Sequence, residues 1–297
     1  MLAIVIPYYK LFFFEETLQS LANQTDKRFK VYIGDDASPE DIVDLIEKYK
    51  GQFDFVYHRF DSNFGSTSLV KQWERCIARI ESEKWIMILG DDDYLETNVV
   101  ASWYKHYDEF YKKSNVIRFA SKSVNMKLNG IISDSFTHPL WEKATDSYYR
   151  RFKGLTRSTL SEYVFSKESF LNYGFRDFPL AWHSDDAAWL DFSSNKPIYT
   201  INESNVFVRF SERSISGNNE DQNLKDLASV DFIKKSILNK LYLFKKNQQI
   251  ELALYYEIAI KKNRKLKNSE WFKLLYVYTI NFEFHEFAKC VRRFILC

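Results

Sequence analysis

The sequence predicts an α/β protein: a mixed, mainly parallel sheet flanked by helices, Rossmann-like in its N-terminal half, with a helical extension at the C-terminal end. Three observations lead there. Strand and helix signals alternate through the first hundred residues, as in successive βαβ units. The run Trp85-Ile86-Met87-Ile88-Leu89 is wholly apolar, as befits a strand covered on both faces, and it stops at Gly90-Asp91-Asp92-Asp93. Beyond residue 221 glycine and proline vanish, and Leu252, Leu254, Tyr255, Ile258 and Ile260 suggest helices.

Leu2 to Ile6 reads as a buried first strand, and Glu15 to Asn23 carries Leu18, Leu21 and Ala22 at helical spacing. Phe29 to Ile33 is the next strand, stopping at Gly34-Asp35-Asp36. Ser38 can then cap a helix with Pro39 at its first position and Asp41 three residues on, with Ile42, Leu45, Ile46 and Tyr49 as the apolar stripe. Phe53 to His58 gives a third strand. Leu69, Val70, Trp73, Ile77 and Ile80 mark the helix that leads into the Trp85 strand, and Val99 to Tyr107 suggests another helix soon after. From Val116 to about Phe165 the pattern loosens into strand-like pieces and polar loops. Ser166 and Glu168 to Tyr173 then read as a short helix ended by Gly174, and mixed α/β continues to about Phe210. The expected organisation is a catalytic domain over 1–220, with halves of about 1–115 and 116–220, and a basic helical extension over 221–297.

Composition narrows the class. A chain of 297 residues with 45% hydrophobic and 28% charged residues can bury a sizeable core. Its 26 Phe, 19 Tyr and 7 Trp suit that core and also stacking on bases or sugar rings. Cys76, Cys290 and Cys297 lack paired metal-ligand spacing and make no disulfide framework, so the expectation is a reducing cytosol. The N-terminus lacks a basic leader, and nowhere do 18 apolar residues run consecutively. Residues 225–297 carry 15 Lys and Arg against 7 Asp and Glu. Such charge reads either as a solvated helical face or as a surface that meets anionic lipid or a polyanionic acceptor. The expected location is therefore cytoplasmic, with the inner face of the membrane as the place the tail would take it.

Three adjacent carboxylates at a strand end repel one another, so Asp91, Asp92 and Asp93 call for a cation. Hard oxygen ligands there suit Mg²⁺ or Mn²⁺ carrying a phosphate, and open α/β sheets bind ligands at the carboxyl ends of their strands. The competing reading is a helix start, which aspartates also favour. Asp35 and Asp36 end the second strand in the same way. They either assist the Ser38 cap or accept the imide N–H of a uracil or the hydroxyls of a ribose.

Four stretches in this order resemble the opening of family 2 glycosyltransferases with the GT-A fold: Ile4 to Tyr9, Glu16 to Thr25, Val31 to Ser38, and Asn63-Phe64-Gly65. Leu89 to Leu95 resembles that family's aspartate-rich metal motif. The resemblance covers about the first 100 residues strongly and 174–216 more weakly. It implies that Pro7, Tyr8 and Tyr9 line a nucleotide pocket and that Asp36, with Asp35, holds the base. It further implies that Asp92 binds the metal, with Asp91 at the ribose and Asp93 in support. Gly90 departs from a pattern that often has aspartate there. Lys71 falls near a basic nucleotide contact of some relatives.

An inverting transfer needs a carboxylate to take the acceptor's proton. Trp182-His183-Ser184-Asp185-Asp186 follows Gly174-Phe175 as the family's acidic pair follows a similar segment, which makes Asp186 the first choice for the base and Asp185 the second. A capped helix starting at Ser184 is the alternative, and Trp182 and Trp189 are either sugar platforms or core. Arg209 or Arg213 could neutralise the leaving diphosphate, with Gly217-Asn218-Asn219 as the pivot of a lid. The expected function is metal-assisted transfer of a sugar from a nucleotide-sugar, a UDP-sugar first, to a saccharide or lipid-linked glycan. The alternative is a non-catalytic module of the same fold that binds nucleotide-sugar or glycan. No nucleic-acid partner is expected.

Overall fold

The structure, a computed structural model, describes all residues except Asn129, Arg213, Ser216, Asn218, Asn219, Glu220, Asn263 and Cys297. Its chain divides into two compact units, Met1–Glu220 and Asp221–Cys297.

Unit 1 begins β1 (Leu2–Tyr8), α1 (Phe14–Ala22), β2 (Phe29–Asp35), α2 (Val43–Glu47), β3 (Asp54–Arg59), α3 (Leu69–Ile77), β4 (Trp85–Ile88) and β5 (Tyr94–Leu95). It continues α4 (Val99–Lys105), α5 (Tyr107–Phe110), β6 (Val116–Asn125), β7 (Ile131–Ile132), β8 (Trp141–Glu142) and α6 (Ala144–Phe152). Last come β9 (Tyr163–Ser166), α7 (Lys167–Tyr173), α8 (Ser184–Phe192) and β10 (Ile198–Phe210). One sheet runs β3-β2-β1-β4-β9-β6-β10-β5, with β7 on β6 and β8 on β10. Strands β3, β2, β1 and β4 are mutually parallel, as are β6 and β10, while β9 is antiparallel to both its neighbours.

Strand order reverses between β1 and β4, which opens a crevice at their carboxyl ends. The pleat sends Leu2, Ile4 and Ile6 into one core and Ala3 and Val5 into the other, so the apolar run of β1 is used on both faces. The Trp85 strand is buried throughout, as its composition requires.

Two expectations change. The helix expected from Ser38 is only Val43–Glu47: the Ser38 hydroxyl accepts the Glu40 N–H at 3.2 Å in a local turn and donates to the Tyr9 carbonyl at 2.8 Å, which ties the β2 turn to the β1 turn. The loose region also holds α6, whose few apolar residues gave little periodic signal.

Unit 2 contains α9 (Gln222–Phe232), α10 (Lys246–Lys261), α11 (Asn268–Ile280) and α12 (Phe284–Ile295). Leu252, Leu254, Tyr255, Ile258 and Ile260 all lie on α10, as their pattern suggested; Leu252, Tyr256 and Ile260 are buried, as are Trp271, Leu274 and Tyr278, while Tyr255 and Ile258 are exposed. No helix among the described residues is long and apolar enough to cross a membrane.

Candidate active site

Asp91, Asp92 and Asp93 lie in the turn after β4. They do not cap a helix: the next helix, α4, starts at Val99 behind Asn98. The Asp91 carboxylate Oδ2 accepts the backbone N–H groups of Tyr9 and Lys10, each at 2.8 Å, and thereby fixes the turn that follows β1. Asp93 is buried. Its Oδ2 accepts the Ser161 hydroxyl at 2.5 Å and its Oδ1 accepts the Arg209 N–H at 2.9 Å. From α1, the Thr17 hydroxyl donates to the Asp93 carbonyl at 2.7 Å.

The Asp92 carboxylate accepts its own backbone N–H and feels the positive charges of Lys10 and Arg209. Burial raises all three acids. Asp91 moves to about 6 and Asp93 to about 7, each pushed further by the charge of Asp92. Gly90 has a steric reason. A Cβ there would stand 3.0 Å from the Asp93 Oδ2 and 3.1 Å from the Asp92 Oδ1, so both carboxylates fold back over a position that a side chain would crowd.

The three acids are not gathered as a shared ligand set, and no group of three His, Cys, Asp or Glu among the described residues is. Asp91 and Asp93 are spent on the scaffold, which leaves Asp92 as the acid of this turn that the described residues engage least. One or two carboxylates plus substrate phosphate are the usual protein share of an Mg²⁺ site, so this donor set fits a hard divalent cation that arrives with a diphosphate.

At the end of β2 the acids are more heavily engaged. Asp35 accepts Ser38 N–H at 2.8 Å, the Tyr57 hydroxyl at 2.7 Å and Arg59 at 2.8 Å. Asp36 accepts the N–H groups of Phe64 and Gly65, each at 2.7 Å, and the Arg75 guanidinium. Each carboxylate therefore has about one of its roughly four acceptor positions left. Arg75 lies between the Phe60 and Phe64 rings, 3.8 and 4.2 Å from their centroids. Lys71, one turn earlier on α3, is exposed and does not meet Asp36. Tyr8 is buried against Phe14, Pro7 is half-buried, and Tyr9 is exposed at the rim.

The third group heads α8. Its approach is strained: Leu180, Ala181 and His183 take left-handed φ of 58°, 52° and 68°, a conformation that persists where surroundings enforce it. The buried Asp186 carboxylate accepts Arg151 of α6 at 2.6 Å and His183 Nδ1 at 2.7 Å. Burial would raise this acid, but Arg151 and His183 outweigh it and hold Asp186 below the ordinary range. Asp185 is half-buried. Burial and the adjacent Asp186 charge push it up to about 7 against the pull of Arg151. Trp189 is core, stacked on Tyr163 at 4.2 Å, whereas Trp182 is half-buried beside His183.

Hydrogen bonds tie these groups to neighbouring segments at the carboxyl end of the sheet. The Ser68 hydroxyl, capping α3, donates to Asp177 at 2.8 Å in the segment that leads to Asp185. On the other side Ser161 bridges Gly90 and Asp93, while Ser158 of the same loop reaches the Tyr163 hydroxyl at 3.1 Å; Ser158, Tyr163, Arg151 and Asp186 line one cleft. Arg209 braces the Asp92 turn. Its guanidinium sits 4.3 and 4.9 Å from the Phe13 and Tyr94 ring centroids, donates to the Asp92 carbonyl at 2.6 Å and pairs with Glu16. Arg213 lies outside the described residues, as do Asn218 and Asn219 of the expected lid.

The model of the family described as Glycosyl transferase family 2 matches residues 3–163, more than half the chain. The chain belongs to that family. It is thus a glycosyltransferase, and its fold is of the GT-A kind. Among solved structures it is similar to S. aureus TarS 1–349 in complex with UDP-GlcNAc, with TM-score 0.63 and 15% identity over 94% of this chain and 80% of that one. TarS 1–349 in complex with UDP gives 0.59 and 15% over 93% and 80%. GalNAc-T7 with UDP, GalNAc and Mn²⁺ gives 0.53 and 11% over 77% and 48%. No curated protein sequence matches the chain.

Sequence reasoning missed Arg75, Arg151 and Ser161. Arg75 had a signal, since it lies four residues after Lys71 on the same face of α3. Arg151 and Ser161 had none, for their partners are 35 and 68 positions away.

Proposed function

We propose that this glycosyltransferase moves a sugar, with inversion, from a nucleotide-sugar to a hydroxyl of a saccharide or lipid-linked glycan acceptor, and that UDP is the nucleotide. The observation that carries this reading is that hydrogen bonds run from Asp36 in two directions, through Tyr8 and Tyr9 to the turn of Asp91 and Asp92, and through Phe64, Ser68 and Asp177 to the segment that leads to Asp185 and Asp186. Unit 1 would be the catalytic domain. The UDP-GlcNAc bound by TarS and the UDP bound by GalNAc-T7 support the choice of donor.

In this reading Pro7, Tyr8 and Tyr9 border the nucleotide. Asp36 accepts the base through its remaining acceptor position, and Arg75, now spent on Asp36, turns to the nucleotide. Lys71 stands at the rim. Asp35 acts at one remove by holding Arg59 and the turn at Ser38. Asp91 keeps one oxygen for the ribose, and Asp93 and Arg209 hold the Asp92 backbone in place. Asp92, with Asp91 beside it, would hold Mn²⁺ or Mg²⁺; such an ion neutralises diphosphate charge as the leaving group departs.

The Asp185–Asp186 pair supplies the base. Asp186 stays ionised on Arg151 and His183 and fixes the head of α8, while Asp185 has proton affinity near neutrality and a partly open face. A base poised there can take the acceptor hydroxyl's proton as the oxygen attacks the anomeric carbon from the side opposite the diphosphate.

Thermal denaturation with UDP and Mn²⁺ tests the donor site. The pair together should stabilise the protein more than either alone, and Asp92→Asn should remove the added effect of the ion. An unaltered response in that variant rules Asp92 out as its ligand. Released nucleotide measured across UDP-, GDP- and TDP-sugars with a mixed acceptor panel identifies the donor, and preference for GDP or TDP overturns the choice of UDP.

A further inference from the structure

Unit 2 carries an apolar surface that its own packing leaves open. One side of α12 faces inward: Cys290 is buried, Phe294 lies 5.7 and 6.1 Å from the Trp271 and Phe272 rings, and Arg293 pairs with Glu257 at 2.7 Å. The opposite side presents Phe287, Val291, Ile295 and Leu296 around an open hollow, with Ile295 and Leu296 each 74% exposed. Because Phe294 meets the first turn of α11, the end of α12 and the beginning of α11 lie together. Phe272, 61% exposed, extends the apolar surface across both helices.

That same end is rimmed with cations. The chain enters α11 through Lys261-Lys262-Asn263-Arg264-Lys265-Leu266-Lys267, in which Lys262 and Lys267 are exposed, and Arg292 is exposed on α12. Two copies joined by this face would set one strongly basic surface against another. An anionic lipid surface instead offers a charge complement for the rim and an apolar interior for the stripe, the pattern of a helix that lies in a membrane interface.

We propose that this end of the α11–α12 hairpin docks on anionic phospholipid. Phe272, Ile295 and Leu296 enter the boundary between headgroups and acyl chains, and Lys262, Lys267 and Arg292 meet the phosphates. The inference stands on unit 2 alone and does not depend on the donor-site reading.

Co-sedimentation of the full chain with vesicles of phosphatidylcholine, with or without phosphatidylglycerol, tests it. Binding is expected only with phosphatidylglycerol and should weaken as salt rises. Ile295→Ser with Leu296→Ser should lower the bound fraction roughly tenfold or more, and Lys262→Glu with Arg292→Glu by about fivefold per residue. Both variants alter exposed side chains only, and an unchanged circular dichroism spectrum and melting temperature verify their fold. Equal binding to neutral vesicles, no binding to either kind, or variants that bind like the parent overturns the proposal. So does a dimer in light scattering that the Ile295/Leu296 variant converts to monomer without altering vesicle binding, since the face then serves a second copy.

Discussion

At Asp185 and Asp186, two adjacent carboxylates share a helix start and are driven apart in acidity by their neighbours. Arg151 and His183 hold Asp186 low, and the resulting fixed negative charge joins burial in lifting Asp185 to about 7. Activity should therefore fall as pH drops through about 7, when the pair takes up a proton, and a pH–rate profile checks it. Asp185→Asn is expected to lower kcat by roughly 10²- to 10⁴-fold with the melting temperature kept. Asp186→Asn should cost activity and, in addition, roughly 3 kcal/mol of stability, because Arg151 loses its buried counter-charge. If only Asp186→Asn impairs turnover, Asp186 is the base, as the sequence first suggested. The acidic pair itself was legible from its neighbours in the chain. Which member has affinity for a proton was not, since that depends on Arg151, which comes from α6.

Among the elements, β2 and α3 approach closely enough for glycine to be required at Gly34. A Cβ there would lie 2.3 Å from the Cys76 sulfur, far inside contact distance. Gly34→Ala should destabilise by about 1–3 kcal/mol in chemical denaturation, and Cys76→Ala in the same chain should restore part of that loss. Additive losses would mean that the two positions do not press on each other. Gly65 is constrained in the same way, since a Cβ there would stand 2.5 Å from the Asp36 Oδ2. Regular elements were legible wherever one periodicity ran unopposed, as in β1, β2, α3 and α7. The helix expected from Ser38 was too long: the serine accepts the Glu40 N–H in a local turn, and the helix itself begins only at Val43. Helix α6 went unseen because Arg150 and Arg151 are spent on buried partners, a use that makes a helix look solvent-exposed in sequence.

For the molecule as a whole, folding and ligand are linked through the raised acids. Asp185 binds a proton more tightly in the fold than its ordinary value of 3.8. Its contribution favours the fold at low pH and is lost as pH rises toward about 7. Asp185→Asn should therefore flatten that part of the pH dependence of the melting temperature. Donor binding acts in the other direction on the same balance: UDP with Mn²⁺ at a hundred times its dissociation constant should add about 2.7 kcal/mol. Whole-chain organisation was readable because the β–α alternation and the loss of glycine beyond 221 are long-range signals. The hydrogen bonds that brace the site were not, since they join partners scattered from Thr17 to Arg209. The scaffold's use of Asp91 and Asp93 leaves Asp92, among the described residues, as the least engaged carboxylate at the strand end. A lone acid grips a bare ion weakly, so on the proposed reading the metal travels as a chelate of its nucleotide, and spent UDP would carry the ion out with it.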